Sequence, residues 1–167
     1  MSTVATQQLN PEQLWQFSLA CYPEVKELCL RWQDKYHANV NVILALCYAE
    51  RLAWQTNQDN LAAAILEIVP LNSQVTQILR QCRQHIAGLP LDNTQQSQLK
   101  QNLLSTELIA EQIEQQLLCR QFTFTKVTTA DNLMLYLQQL DLTLTEALSA
   151  DLIDLRQVSA QIPLGAL

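Results

Sequence analysis

Apolar positions recur at steps of three and four along most of the chain, the period of helices that bury one face. Leu14, Phe17 and Cys21 form one such line, with Ser18 inside it and Trp15 and Tyr22 at its flanks. Val25, Leu28, Cys29, Trp32 and Tyr36 form a second, with Gln33 at its edge and Asp34 opposite. From Val40 to Ala49 the chain is apolar nearly all round, the mark of a central helix. Leu99, Leu103, Thr106, Ala110, Ile113 and Leu117 alternate steps of four and three, a heptad line along a long helix.

Capping residues and breakers divide this pattern. Asn10 and Pro11 open a helix that runs to Cys21; Pro23 opens a second, to Tyr36. Asn39 and Asn41 bracket the start of a third, expected to reach Thr56. Asn57 or Asp59 caps a fourth, interrupted at Pro70, and Asn72 and Ser73 restart a fifth that stops at Gly88. A long helix is expected over residues 94–120, another from Thr129 or Asp131 to Leu140, and a last over 145–160. Phe122 to Thr129 is β-branched, but with no partner strand it reads as a loop. The expectation is an all-α, single-domain bundle of seven or eight helices over residues 10–160 and no sheet. The central helix spans 40–56 and the long one 94–120. A disordered arm (1–9) and an apolar tail (161–167) flank the bundle.

Composition narrows the chemistry. The 167 residues hold two glycines, Gly88 and Gly165, too few and too far apart for phosphate loops or dinucleotide fingerprints. A net charge of -6 with scattered Lys and Arg argues against nucleic acid as a partner. Arg80 and Arg83 read as a charge pair on a solvated face. Five cysteines, odd in number and without a C-x-x-C, fit a reducing compartment. The N-terminus has neither the basic end nor the apolar run of a signal peptide, and no apolar run approaches the roughly 20 residues of a membrane span. The expected location is the cytoplasm, with no membrane partner.

Several polar residues sit within or beside apolar faces. Arg51 continues the buried line of Leu44 and Cys47, and Glu50 that of Ile43. A charge on such a line must be paired or reach the edge of the core. Glu107 or Glu111, carried by the long helix, is the expected partner of Arg51. Glu107, Glu111 and Glu114 otherwise read as a solvated acidic flank. With no histidine on that helix, neither a metal nor another cofactor is called for. Ser18 reads as a structural small residue. Trp15, Tyr22, Gln33, Asn41, Glu50, Arg51, Glu107 and Glu111 are the candidates for a polar pocket, and no catalytic residue is assigned.

Leu14-Trp15, Phe17-Ser18-Leu19, Tyr22, Val25, Cys29-Leu30, Gln33-Asp34 and Val40-Asn41 resemble the opening signature of a small uncharacterised proteobacterial family of unknown function. Its pattern runs LW-x-FSL, CL-x-LQD, then DVN before an apolar helix. Glu107 and Ala110-Glu111 resemble a later, weaker feature. The chain departs at Trp32, where the family has Leu, and at Asn39, where it has Asp. The resemblance implies one intact domain and carries no activity. Two functional readings stand. One is a non-enzymatic protein-interaction or regulatory protein whose partner is another protein or a second copy of the chain. The other is a small-molecule-binding or enzymatic domain with its pocket near Arg51 and Glu107. Convergence of the polar residues on one cavity favours the second, and their dispersal favours the first.

Overall fold

The computed structural model describes residues 5–165 and is an all-α single domain of six helices with one small ribbon. Asn10 accepts from the Gln13 amide and opens α1, Pro11–Tyr36. Pro23 lies inside α1 and does not divide it. The ring sits on the exposed side, where a carbonyl deprived of its partner can face water, so two expected helices are one. His37, at φ 57°, ends α1. Asn39 then caps α2, Val40–Arg51, through the amides of Asn41 and Val42. Every residue from Asn41 to Ala49 is buried, and α1 and the last three helices pack against this element. It stops at Arg51 rather than reaching Thr56, because Ala53 adopts φ 55° and turns the chain out of the helix.

Asn57 caps α3, a continuous run over Gln58–Gly88. Pro70 is again accommodated. After it the ladder widens into one π-turn at Asn72–Thr76, in which the Gln77 amide bonds to the Asn72 carbonyl, and α-helix resumes. The expected break is therefore a bulge. With the two prolines absorbed, the seven or eight expected helices become six. By length and composition α3 would suffice to cross a bilayer, against the expectation that no segment would, and 22% of its most apolar window is buried. Asp92 and Gln95 form a reciprocal capping box at the start of α4, Asn93–Gln121. Helices α5, Asn132–Gln139, and α6, Glu146–Gln161, complete the bundle.

The expectation of no sheet is corrected by a short ribbon. β1, Trp54–Gln55, pairs antiparallel with β2, Thr125–Lys126. The partner that the β-branched segment seemed to lack is the chain released at Ala53. Asn132 clamps it, donating to the Trp54 carbonyl at 2.7 Å and accepting from the Thr56 amide at 2.9 Å. Part of the expected N-terminal arm is also held. Gln7 and Phe124 exchange backbone hydrogen bonds of 2.8 and 3.0 Å, and Leu9 is buried. Residues 1–4 of that arm and 166–167 of the tail lie outside the described residues. Within the tail, Ile162 is buried and Leu164 packs on the core.

Candidate functional site

The heptad leucines of α4 do not form its buried seam. Leu99 and Ile113 are exposed, whereas the buried face carries Glu107, Ala110, Glu114, Gln115 and Leu118. The acidic flank expected in solvent is thus partly interior: Glu107 is 3% exposed and Glu114 0%. Burying carboxylates requires partners, and α3 supplies them. Arg80 donates from all three guanidinium nitrogens: Nε to Glu107 at 2.9 Å, Nη2 to Glu111 at 2.8 Å and Nη1 to Gln33 at 3.0 Å. Arg83 Nε reaches the other Glu107 oxygen at 2.8 Å. The pair expected on a solvated face is therefore the countercharge of a buried carboxylate. Burial pushes the Glu107 carboxyl up, but the bonds from Arg83 and Arg80 outweigh it and hold the group below its ordinary range.

Glu114 is paired with neutral donors. The π-turn of α3 presents Asn72 Nδ2 at 3.1 Å and Thr76 Oγ1 at 2.6 Å, and α2 presents Asn41 Nδ2 at 2.8 Å. These contacts orient a chain of amides. Asn41 turns its NH2 to the carboxylate, so its oxygen faces Gln115, whose Nε2 donates to it at 3.1 Å and to Ser18 Oγ at 2.8 Å. Ser18 is thus an acceptor for α4 within the apolar stripe of α1. The consequence falls on Gln115. With its NH2 committed, its Oε1 is buried without a partner, and it is the one such side-chain atom among the described residues.

Gln115 lines a cleft of about 180 Å³ between α1, α2 and α4. Trp15, Leu19, Tyr22, Leu30, Leu44 and Leu108 form its apolar wall; Gln33, Asn41, Arg80 and Glu111 form its polar end. A wetter basin of about 380 Å³ adjoins it, sharing Gln33, Val40, Asn41, Arg80 and Glu111 and adding Asp34, His37 and Glu114. Burial raises the Glu111 carboxyl; Arg80 draws it back, and Glu107 and Glu114 push it further up. Burial, then Cys29 and Glu111, raises the Tyr22 phenol.

Of the eight candidate residues, Trp15, Tyr22, Gln33, Asn41 and Glu111 meet in this cleft, and Glu107 stands behind it on Arg80. Glu50 and Arg51 do not. They lie on a separate hollow of about 490 Å³ beside Arg156 and Ser159. Glu50 accepts from Arg156 Nε at 2.8 Å and from the Leu133 amide at 2.8 Å, which caps α5. Arg51 meets neither Glu107 nor Glu111. Its Nη1 donates to the carbonyls of Ser159 and, at 3.3 Å, Ile162, closing the end of α6. Arg80, Glu114, Gln115 and Leu108 were not singled out as pocket residues by sequence. The i, i+4, i+7 recurrence of acids on α4 was visible, but which way that face pointed was not. Among the described residues, no group of three or more His, Cys, Asp or Glu is arranged to hold a metal ion.

A bundle of this kind, with an amphipathic cleft walled by three helices and closed by Arg80 of a fourth, belongs to the broad class of all-α single domains. Within it, the chain is a member of the DUF2390 family, described as a protein of unknown function, which matches residues 13–118. That span contains every residue named in the cleft. No curated protein and no solved structure matched the chain.

Proposed function

We propose that this protein binds a small organic molecule in the cleft between α1, α2 and α4. The observation that carries the proposal is the lining of the cleft, where Trp15, Leu19, Tyr22, Leu30, Leu44 and Leu108 meet Gln33, Asn41, Arg80 and Glu111. Few convergent polar groups on an apolar wall are the usual make-up of a ligand site. At ~30 Å³ per water molecule, a volume of about 180 Å³ admits one ring or a short chain rather than a nucleotide. The test is ligand-detected NMR with a panel of one-ring and short-chain compounds, repeated on Leu108→Trp. Leu108 is 40% exposed at the cleft wall, so a larger ring there fills the space without entering the buried amide chain. Binding by the native chain that the variant loses is the expected result. A panel without a single binder would overturn the proposal.

A second reading rests on α3. Leu66, Val69, Val75 and Ile78 are 71%, 46%, 39% and 47% exposed, and Glu67 is the one charge between Leu61 and Leu79. An exposed apolar surface of this sort favours association. A second copy of the chain fits it, because the stripe lets two molecules of charge -6 meet where like charges are sparse. Sedimentation equilibrium should give a dimer that Leu66→Glu reduces to a monomer, and a native monomer at all concentrations would reject this reading. We place the protein in the cytoplasm on the support of its five cysteines, all present as free thiols.

A further inference from the structure

We infer that the hollow where the ends of α2 and α6 meet the 128–131 loop is a second binding site, one that takes the carboxylate of a small monoanionic molecule on the open edge of Arg51. It shares no residue with the cleft and does not depend on the reading given for it.

The other arginines show what that edge is for. Four of the six in the chain are partly buried: Arg51, Arg80, Arg83 and Arg156. Three of them bring Nε and Nη2, the side-on fork of the guanidinium, to glutamates. Arg83 sets both nitrogens on Glu107 and Arg156 sets both on Glu50, while Arg80 divides them between Glu107 and Glu111. Arg51 is the exception. Its Nη1 is taken up by the carbonyls of Ser159 and Ile162, and none of the described residues accepts from its Nε or Nη2. Neither nitrogen is sealed in the interior, because Gln115 Oε1 is the one buried side-chain polar atom without a partner among the described residues. The fork therefore keeps surface that a ligand can reach.

The neighbouring charges set the charge of the ligand. Arg51, Arg156, Glu50 and Asp131 line the hollow and sum to zero. Both acids bond to Arg156, Glu50 at 2.8 Å and Asp131 at 2.6 Å, whereas the charge of Arg51 meets only neutral carbonyls. A single negative charge on the fork balances Arg51; the second charge of a dianion would face Glu50 and Asp131 without compensation. A carboxylate is the singly charged group whose two oxygens match the planar fork. The two carbonyls already hold the guanidinium in place, so little side-chain freedom is lost on binding. Ala53, Ala130, Thr128 and Thr129 line the same hollow of about 490 Å³, which leaves room for a short alkyl or one-ring body.

The test titrates the full chain at pH 7 with butyrate, benzoate, benzamide and inorganic phosphate. Proton–nitrogen correlation spectra follow the arginine Nε–H signals and the backbone amides of the 128–131 loop, with the Arg51 signal assigned by its absence in Arg51→Lys. At least one of the two acids should shift the Arg51 Nε–H signal saturably, with a Kd at least tenfold below those of benzamide and phosphate. Arg51→Lys keeps the charge and loses the fork, and should weaken that acid about tenfold. Thr129→Trp, which fills the hollow from an exposed loop position, should abolish binding. Should Arg51→Lys not fold, the native titration and Thr129→Trp still decide. Phosphate or benzamide binding as tightly as the acid would overturn the monocarboxylate. Acid binding that leaves the Arg51 signal unmoved, or that is lost in Leu108→Trp and kept in Thr129→Trp, would place the acid outside the hollow and overturn the inference. If neither acid binds, the inference fails, and the cleft is still judged by its own panel.

Discussion

Asn41 and Glu114, 73 positions apart in the chain, meet at 2.8 Å in the interior and set the orientation of the buried amides behind the cleft. The carboxylate accepts, so the amide of Asn41 must present its nitrogen there and its oxygen to Gln115. A core contact between α2 and α4 thereby leaves a buried acceptor of Gln115 unfilled in the interior.

Removing Glu114 should therefore cost more than a typical core substitution. Glu114→Leu strands the buried donors of Asn41 and Thr76 together with that of Asn72. At roughly 1–3 kcal/mol for each unsatisfied donor, the loss should be at least about 3 kcal/mol. Urea titration measures it, and a loss below about 1 kcal/mol would show that water takes over these contacts.

Arg51 acts as a cap of α6. Arg51→Met should cost about 1–2 kcal/mol through the carbonyls of Ser159 and Ile162. Combined with Glu107→Gln it should be additive within ~0.5 kcal/mol, as for sites that share no partner. A larger coupling in the double-mutant cycle would restore the carboxylate pairing expected from the sequence.

Glu107 and Glu111 should respond to pH in opposite senses. Burial raises Glu107, but Arg83 and Arg80 bring it below its unfolded value of roughly 4.3. Its ionised form then stabilises the fold above that value, and this contribution is lost as pH falls through the folded pKa. Glu107→Gln should be destabilised at pH 7 and approach the native chain in acid. Glu111 is displaced upward, by burial first. Its contribution is present below roughly 4.3 and lost as pH rises through the folded pKa. Relative to the native chain, Glu111→Gln should gain stability between pH 4 and pH 7. Urea midpoints across that range check both signs.

Thiol reactivity offers a direct test of burial. Cys82 is exposed, whereas Cys21, Cys29, Cys47 and Cys119 are buried. Burial pushes Cys21 up to about 11 and Cys29 and Cys119 up to about 12, so few thiolates exist there at neutral pH. Titration with an aromatic disulfide reagent should modify one thiol in the native protein and five in denaturant. Rapid modification of more than one would show that α1 or α2 opens readily.

The sequence by itself determined the features that depend on neighbours within a turn. Asn10, Asn39 and Asn57 accept from amides two or three residues ahead, so most helix starts were readable. The all-round apolar character of Val42–Ala49 placed α2 at the centre, because such a surface has no side to turn to water. What the tertiary structure decided involves distant partners. Pro23 and Pro70 were tolerated because the surrounding packing holds one helix through each, with a π-turn after the second. The rotation of α4, which buries Glu107 and Glu114 and exposes Leu99 and Ile113, follows from donors that α3 and α2 bring up; periodicity alone favoured the leucines. Arg80 and Arg51 each had plausible partners in the sequence. Which carboxylate or carbonyl lay within reach was a matter of helix placement, over separations of 27 to 111 residues that no local rule spans.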